Sequence, residues 1–210
     1  MEALENVSIT INDLTKEYSK KKGIYNINTE FKSGILNLVI GENGSGKSTL
    51  FKCIMGLTKY KGYVIKRRLR IGYAPEEYIM PLNMTIIDFL YSIGRIKGYP
   101  KFELSENVKY YLDYFNLNNY EDKYIKELSH GMRQKINLMQ AFIYEPKIII
   151  LDEPLASLDQ QIIPKVVKLI KERAKRNLVV VSTHNPKYFK IKNRKIYHFM
   201  NGNLQVEWTA

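Results

Sequence analysis

Cysteine is nearly missing from these 210 residues: Cys53 is the only one, so no internal disulfide can form and a reducing compartment is expected. Long apolar runs are missing as well. The longest, such as Ile148 to Leu151, fall far short of the ~18 residues of a membrane span. The first five residues (Met1-Glu2-Ala3-Leu4-Glu5) carry two acids and no apolar core, which argues against a secretory signal. No internal repeat and no low-complexity tract interrupts the chain. Acid is in deficit, with 21 Asp+Glu against 33 Lys+Arg and a net charge of +12. At 45% hydrophobic residues, the expectation is a soluble, cytoplasmic chain with one sizeable domain.

The positive balance has three readings. It can serve nucleic acid, it can sit beside an anionic membrane leaflet, or it is a solvated face, which is the commonest case. Lysine and arginine gather at Lys20-Lys21-Lys22, at Lys66-Arg67-Arg68 with Arg70, and between Lys165 and Arg176. Nothing resembles a nucleic-acid-reading module, so nucleic acid is not the expected partner.

What the chain does have is Gly41-Glu42-Asn43-Gly44-Ser45-Gly46-Lys47-Ser48-Thr49, which fits the phosphate-binding pattern G-x-x-x-x-G-K-[ST]. Glycines let successive backbone N–H groups turn inward around a phosphate chain. Lys47 places a point charge on the terminal phosphates, and Ser48 offers a hydroxyl to Mg²⁺. A Gly-rich surface turn would satisfy the bare pattern. Here, however, Ile35–Ile40 reads as a buried strand before it and Ser48–Leu57 as a helix after it, whose N-terminal dipole favours an anion.

The remaining chain alternates. Val7–Ile11 and Ile24–Phe31 read as strands, and Tyr60–Tyr73 as a short, basic, β-like stretch. Thr85–Ile96, Ser105–Phe115 and Met132–Ile143 have helical patterning and suggest an inserted helical subdomain over residues 81–140. Lys147–Leu151 reads as a central parallel strand covered on both faces. Pro164–Arg176 is an amphipathic helix with Val166, Val167, Leu169 and Ile170 on its apolar face. Leu178–Val181 is another buried strand, and Ile196–Met200 with Leu204–Trp208 forms a closing hairpin around Asn201-Gly202-Asn203. This is an α/β pattern with a mostly parallel sheet, in which a ligand binds beyond the carboxyl ends of the strands.

Asp152 and Glu153 stand at such an end. Adjacent carboxylates on a strand point opposite ways and can do different work. Asp152 suits a metal, while Glu153 suits activation of a water in line with a γ-phosphate.

With these residues in place, the chain resembles the nucleotide-binding subunit of an ABC transporter over nearly its whole length. Gly41–Thr49 matches the Walker A motif, and Ile148–Glu153 the Walker B with its catalytic glutamate. Leu128-Ser129-His130-Gly131-Met132 stands at the signature, Ser157-Leu158-Asp159 at the D-loop and His184 at the switch histidine. Tyr18, 23 residues before Gly41, stands near the adenine-stacking aromatic, and Ile71–Glu76 occupies the Q-loop. Each has a plainer alternative: Tyr18 a core or surface tyrosine, His184 a satisfied core histidine, Ser129 a helix cap, Asp159 a turn residue.

The resemblance implies a P-loop core with a small antiparallel β-subdomain (residues 1–80 and 141–210) and a helical subdomain (81–140) in one ATPase domain. It implies ATP and Mg²⁺ as cofactors. Lys47, Glu153 and His184 are the implied catalytic groups, and Ser48, Asp152 and Glu76 the implied metal ligands. Tyr18, Asn43, Gly44, Ser45, Gly46, Lys47, Ser48 and Thr49 would hold the nucleotide, with Ser129 and Gly131 meeting the γ-phosphate held by a second nucleotide-binding subunit, identical or not. Separate transmembrane permease subunits and a location on the inner face of the cell membrane follow. Tyr78, Ile79, Met80 and Leu82 would line a groove for a cytoplasmic helix of that permease. Glu76 replaces the usual glutamine, and His130 and Met132 replace the Gly and Gln of the signature. These variants look like those of ABC-2-type exporters. Only 29 residues separate Lys47 from Glu76, so a trimmed β-subdomain is expected. The rival from another class is a soluble ABC-type ATPase acting on nucleic acid or ribosomes, against which stand a single Walker A motif and no long heptad insertion.

Overall fold

The computed structural model describes residues 6–19 and 22–209; Lys20, Lys21 and the first five residues lie outside the described residues. In chain order the elements are β1 (Ser8–Ser19), β2 (Lys22–Lys32), β3 (Leu36–Ile40), α1 (Lys47–Met55), β4 (Lys61–Lys66), β5 (Ile71–Ala74), α2 (Ile86–Ile96), α3 (Lys101–Tyr114), α4 (His130–Phe142), β6 (Ile148–Asp152), α5 (Ile163–Ala174), β7 (Leu178–Thr183), β8 (Arg194–Met200) and β9 (Asn203–Thr209). They make a three-stranded antiparallel sheet, β2-β1-β4, and a six-stranded sheet, β5-β6-β7-β3-β8-β9. The larger sheet is parallel except for β9. The fold is thus α/β, with a mostly parallel sheet and a small antiparallel one. Among the described residues no helix is long and apolar enough to cross a membrane.

The continuous apolar runs are explained by burial on both faces. Ile149, Leu151, Val179 and Val181 pack with α2–α5 on one side, whereas Ile148, Ile150, Leu178 and Val180 pack with α1 on the other. There, Leu50, Phe51, Cys53 and Ile54 of α1 lie between the large sheet and Ile9, Ile11, Leu14, Ile24 and Phe31 of the small one. The Lys66 ammonium donates to the Ile54 carbonyl, tying β4 to the C-terminal end of α1.

Three local expectations change. The basic stretch 60–73 is two strands in different sheets: β4 ends at Lys66, Arg67 and Arg68 lie in the connection, and β5 then pairs with β6 at the edge of the large sheet. The third helix, α3, begins at Lys101 rather than Ser105, because Pro100 has φ −59° and suits a helix start. Finally, Met80 is buried in the core and Tyr78 packs against the same core. Only Ile79 and Leu82 of that cluster are exposed.

Strand register sets the site. Asp152 pairs with Ser182 and Ile40 with Thr183, so the loops after β3, β6 and β7 leave the sheet side by side. Because β5 lies next to β6, Pro75 and Glu76 emerge at the same edge.

Candidate active site

The loop after β3 turns on glycines with positive φ. Gly46, at 115°, precedes the first turn of α1, and a Cβ there would come 2.5 Å from Ile24 Cγ2. No side chain caps α1 and its first turn carries no acid, so its N-terminal N–H groups are left for an anion. Lys47 is buried and folds back across the loop, its Nζ donating to the carbonyls of Gly41 at 2.8 Å and Glu42 at 3.1 Å. The same Nζ lies 3.8 Å from Glu153 Oε1. Asn43 and Gly44 are exposed at the loop tip, while Ser45 is buried with an unpartnered hydroxyl.

Behind the loop, Asp152 ends β6 and accepts a hydrogen bond from Ser182 Oγ; that hydroxyl in turn accepts from the Glu153 backbone N–H at 2.8 Å. Burial pushes the Asp152 carboxyl up. Hydrogen bonds from Ser182 and Ser48 oppose this, the Glu153 charge adds to it, and the Lys47 charge counters it. Glu153 adopts φ 47°, a left-handed conformation costing a non-glycine residue about 1–2 kcal/mol. Its Oε2 sits 2.9 Å from Nδ1 of the largely exposed His184, and its Oε1, though buried, has no hydrogen-bond partner. Ser48 Oγ also lies 3.4 Å from Glu76 Oε2. Ser48, Glu76 and Asp152 therefore form an all-oxygen set that suits a hard divalent cation, and the two orphaned buried oxygens, Ser45 Oγ and Glu153 Oε1, fit a site that takes a phosphate and a water.

A cavity of about 300 Å³ runs from the loop to β1 and is lined by Tyr18, Lys22, Asn43, Gly44, Gly46, Lys47, Ser48, Thr49 and Glu76. Tyr18 is half exposed, and Lys16 Nζ lies 4.7 Å from its ring centroid, covering one face. The cavity is large enough for a nucleoside and places an aromatic face at one end and the phosphate loop at the other.

Ser129 and Gly131 are not among the residues lining this cavity. Ser129 is exposed and caps α4, its Oγ accepting from the Met132 N–H at 3.3 Å. A Cβ on Gly131 would come within 2.9 Å of the Ser157 carbonyl, which packs the start of α4 against the turn at Ser157. Asp159 accepts from the Ile162 N–H at 3.0 Å and pairs with Lys135 at 3.0 Å, which holds its carboxyl below the usual range.

Sequence reasoning missed Ser182, which joins the two carboxylate-bearing residues. It also missed Gln134 and Asn137, amides buried on the inner face of α4. The signals were present: a hydroxyl ending a valine run, and amides among apolar residues at a spacing of three.

Comparison with known proteins follows the same lines. A family model described as "ABC transporter" matches residues 24–156. An uncharacterised ABC transporter ATP-binding protein of Methanocaldococcus jannaschii is 33% identical over 180 residues, covering 84% of this chain and 68% of that one. A zinc import ATP-binding protein of Rickettsia conorii is 30% identical over 203 residues, covering 93% of this chain and 84% of that one. A solved structure described as the ATP-binding subunit of an ABC transporter superposes with a TM-score of 0.87 at 25% identity, covering 96% of this chain and 89% of the other. The chain spans 57–68% of the length of several curated relatives. The chain belongs to the ABC transporter family and is its ATP-binding domain, a P-loop ATPase.

Proposed function

We propose that this chain powers an ABC exporter as one half of a head-to-tail pair of ATPase subunits, held on the cytoplasmic face of the cell membrane by separate permease subunits. Residues 1–80 and 141–210 form the catalytic core, and residues 81–140 form the helical subdomain that presents Ser129 and Gly131 to the nucleotide of the partner. Each subunit begins a site that the other completes, so bound ATP joins the pair and loss of the γ-phosphate link releases it.

The reading is carried by the meeting of Lys47, Glu153 and His184 at the ends of β3, β6 and β7. Glu153 accepts a proton from the attacking water, and His184, hydrogen-bonded to its Oε2, orients that carboxylate. Lys47 leaves the Gly41 and Glu42 carbonyls to meet the β- and γ-phosphates. The N–H groups of residues 44–49 cradle the phosphate chain, and Tyr18 stacks on the base. Ser48, Asp152 and Glu76 would hold Mg²⁺, which would supply positive charge against that of the phosphates. Ile79 and Leu82, exposed beside half-buried Tyr78, offer the apolar contact for a cytoplasmic permease helix.

In size-exclusion chromatography with MgATP, the Glu153→Gln protein should run as a stable dimer with turnover lowered by about 100-fold or more. Near-normal hydrolysis in that variant would remove Glu153 as the base.

Export is supported by the likeness of Tyr73-x-Pro75-Glu76 to ABC-2-type exporters, while the Rickettsia conorii relative is named for import. Vesicles reconstituted with the permease decide the direction: with the ATPase outside, export fills the vesicle in an ATP-dependent way, and import empties a loaded one.

A further inference from the structure

We infer that Gln134 and Asn137, a buried amide pair on α4, are positioning residues of the site, setting the distance between the loop that carries Glu76 and the loop that carries Glu153. Asn137 Nδ2 donates to the Pro75 carbonyl at 2.9 Å, one residue before Glu76. Gln134 Nε2 donates to the Pro154 carbonyl at 3.3 Å, one residue after Glu153. Asn137 Nδ2 also donates to Gln134 Oε1 at 3.3 Å, which closes the two contacts into one bridge. Both side chains are almost fully buried, at 2% and 3% exposure.

The neighbours on α4 that pack into the core are Ile136, Leu138, Met139, Ala141 and Phe142. A primary amide in such surroundings is costly unless every polar atom is engaged, and an apolar side chain would fill the same volume without that cost. What the pair supplies is a fixed separation. Pro75 and Pro154 have no N–H to anchor themselves, and each lies just beyond the end of its strand, outside the ladder. Their carbonyls are backbone handles one residue away from Glu153 and from Glu76, and α4 holds both. Gln140 continues the row one turn on, donating to the Tyr73 carbonyl at the end of β5. A shift of α4 therefore moves both carboxylate-bearing loops together.

The inference rests on the reading of Glu76 as an oxygen donor to Mg²⁺, and the test separates the two. The quantity measured is the Mg²⁺ concentration for half-maximal binding of the fluorescent analogue mant-ATP, with circular dichroism melts run on each variant. Asn137→Leu keeps the branched shape and removes the donors; it should raise the Mg²⁺ midpoint about tenfold, as loss of a residue that orients a ligand does, while Mg²⁺-free mant-ATP binding stays within twofold. Met139→Leu, on the same buried helix, should leave the midpoint unmoved. Glu76→Ala should raise the midpoint by itself, and adding Asn137→Leu to it should produce no further rise. A shift in Glu76→Ala without one in Asn137→Leu overturns the positioning role and leaves the metal role of Glu76 standing. No shift in Glu76→Ala sinks that metal role and this inference with it. If Asn137→Leu does not fold, Asn137→Ala, which removes the donors without adding bulk or charge, carries the comparison.

Discussion

Removing one hydroxyl, that of Ser182, should unfasten the floor of the site. Ser182 is fully buried, and its Oγ both donates to Asp152 and accepts from the Glu153 N–H. In Ser182→Ala, a hydrogen bond to a buried carboxylate is lost, worth about 1.5–3 kcal/mol, and a buried N–H is orphaned at about 1–3 kcal/mol. The two losses share one atom and overlap, so the expected destabilisation is about 2–5 kcal/mol, a large share of the 5–15 kcal/mol typical of a domain. Urea unfolding followed by circular dichroism measures it. With a slope of about 3 kcal/mol per molar, the midpoint should fall by roughly 1 M at an unchanged slope. Hydrolysis should fall too, because Asp152 and Glu153 lose their common anchor. A midpoint within about 0.2 M of the parent would show that this hydroxyl holds neither group, and the account of the strand ends would have to be rebuilt.

Two further predictions concern the loop and the thiol. Gly46→Ala must place a methyl group 2.5 Å from Ile24 Cγ2 at φ 115°, whereas Gly44→Ala, at φ 78°, meets nothing within 4 Å. Gly46→Ala should therefore cost about 2–5 kcal/mol and abolish mant-ATP binding, and Gly44→Ala only about 1 kcal/mol; equal melting temperatures would contradict the packing described. Burial pushes the Cys53 thiol from 9.0 to about 11, leaving about a hundredfold less thiolate at pH 8 than in an ordinary cysteine. Ellman's reagent should leave it unmodified in the folded protein and react promptly in urea; rapid native labelling would refute its burial between the sheets.

Much of the architecture is legible because its signals are local. The phosphate loop is a contiguous pattern, the run 147–151 has one sensible home, and Asn201-Gly202 between two apolar runs dictates a hairpin, realised with both residues at positive φ. What escapes is whatever depends on distant pairing. β5 is four residues long, and nothing within Ile71–Ala74 says that it joins the large sheet rather than the small one; that follows from its pairing with Ile148–Leu151. Ser182 matters only because β7 runs in register with β6. Gln134 and Asn137 find their partners 20 and 62 residues away. The segment 78–82 looks like a surface groove by composition alone, yet Met80 turns inward and joins the core that the helices share with the large sheet.

Two neighbouring interior strands, β6 and β7, work as a party wall between neighbouring houses. Alternate side chains of β6 and β7 furnish the rooms on either side: the helices on one, α1 with the small sheet on the other. Neither house owns a wall of its own. Residues 81–140 cut from the chain would therefore stand open to the weather, with Ile136, Leu138 and Met139 of α4 stripped of the strands they pack beside, and the phosphate loop would lose its backing as soon as the wall came down.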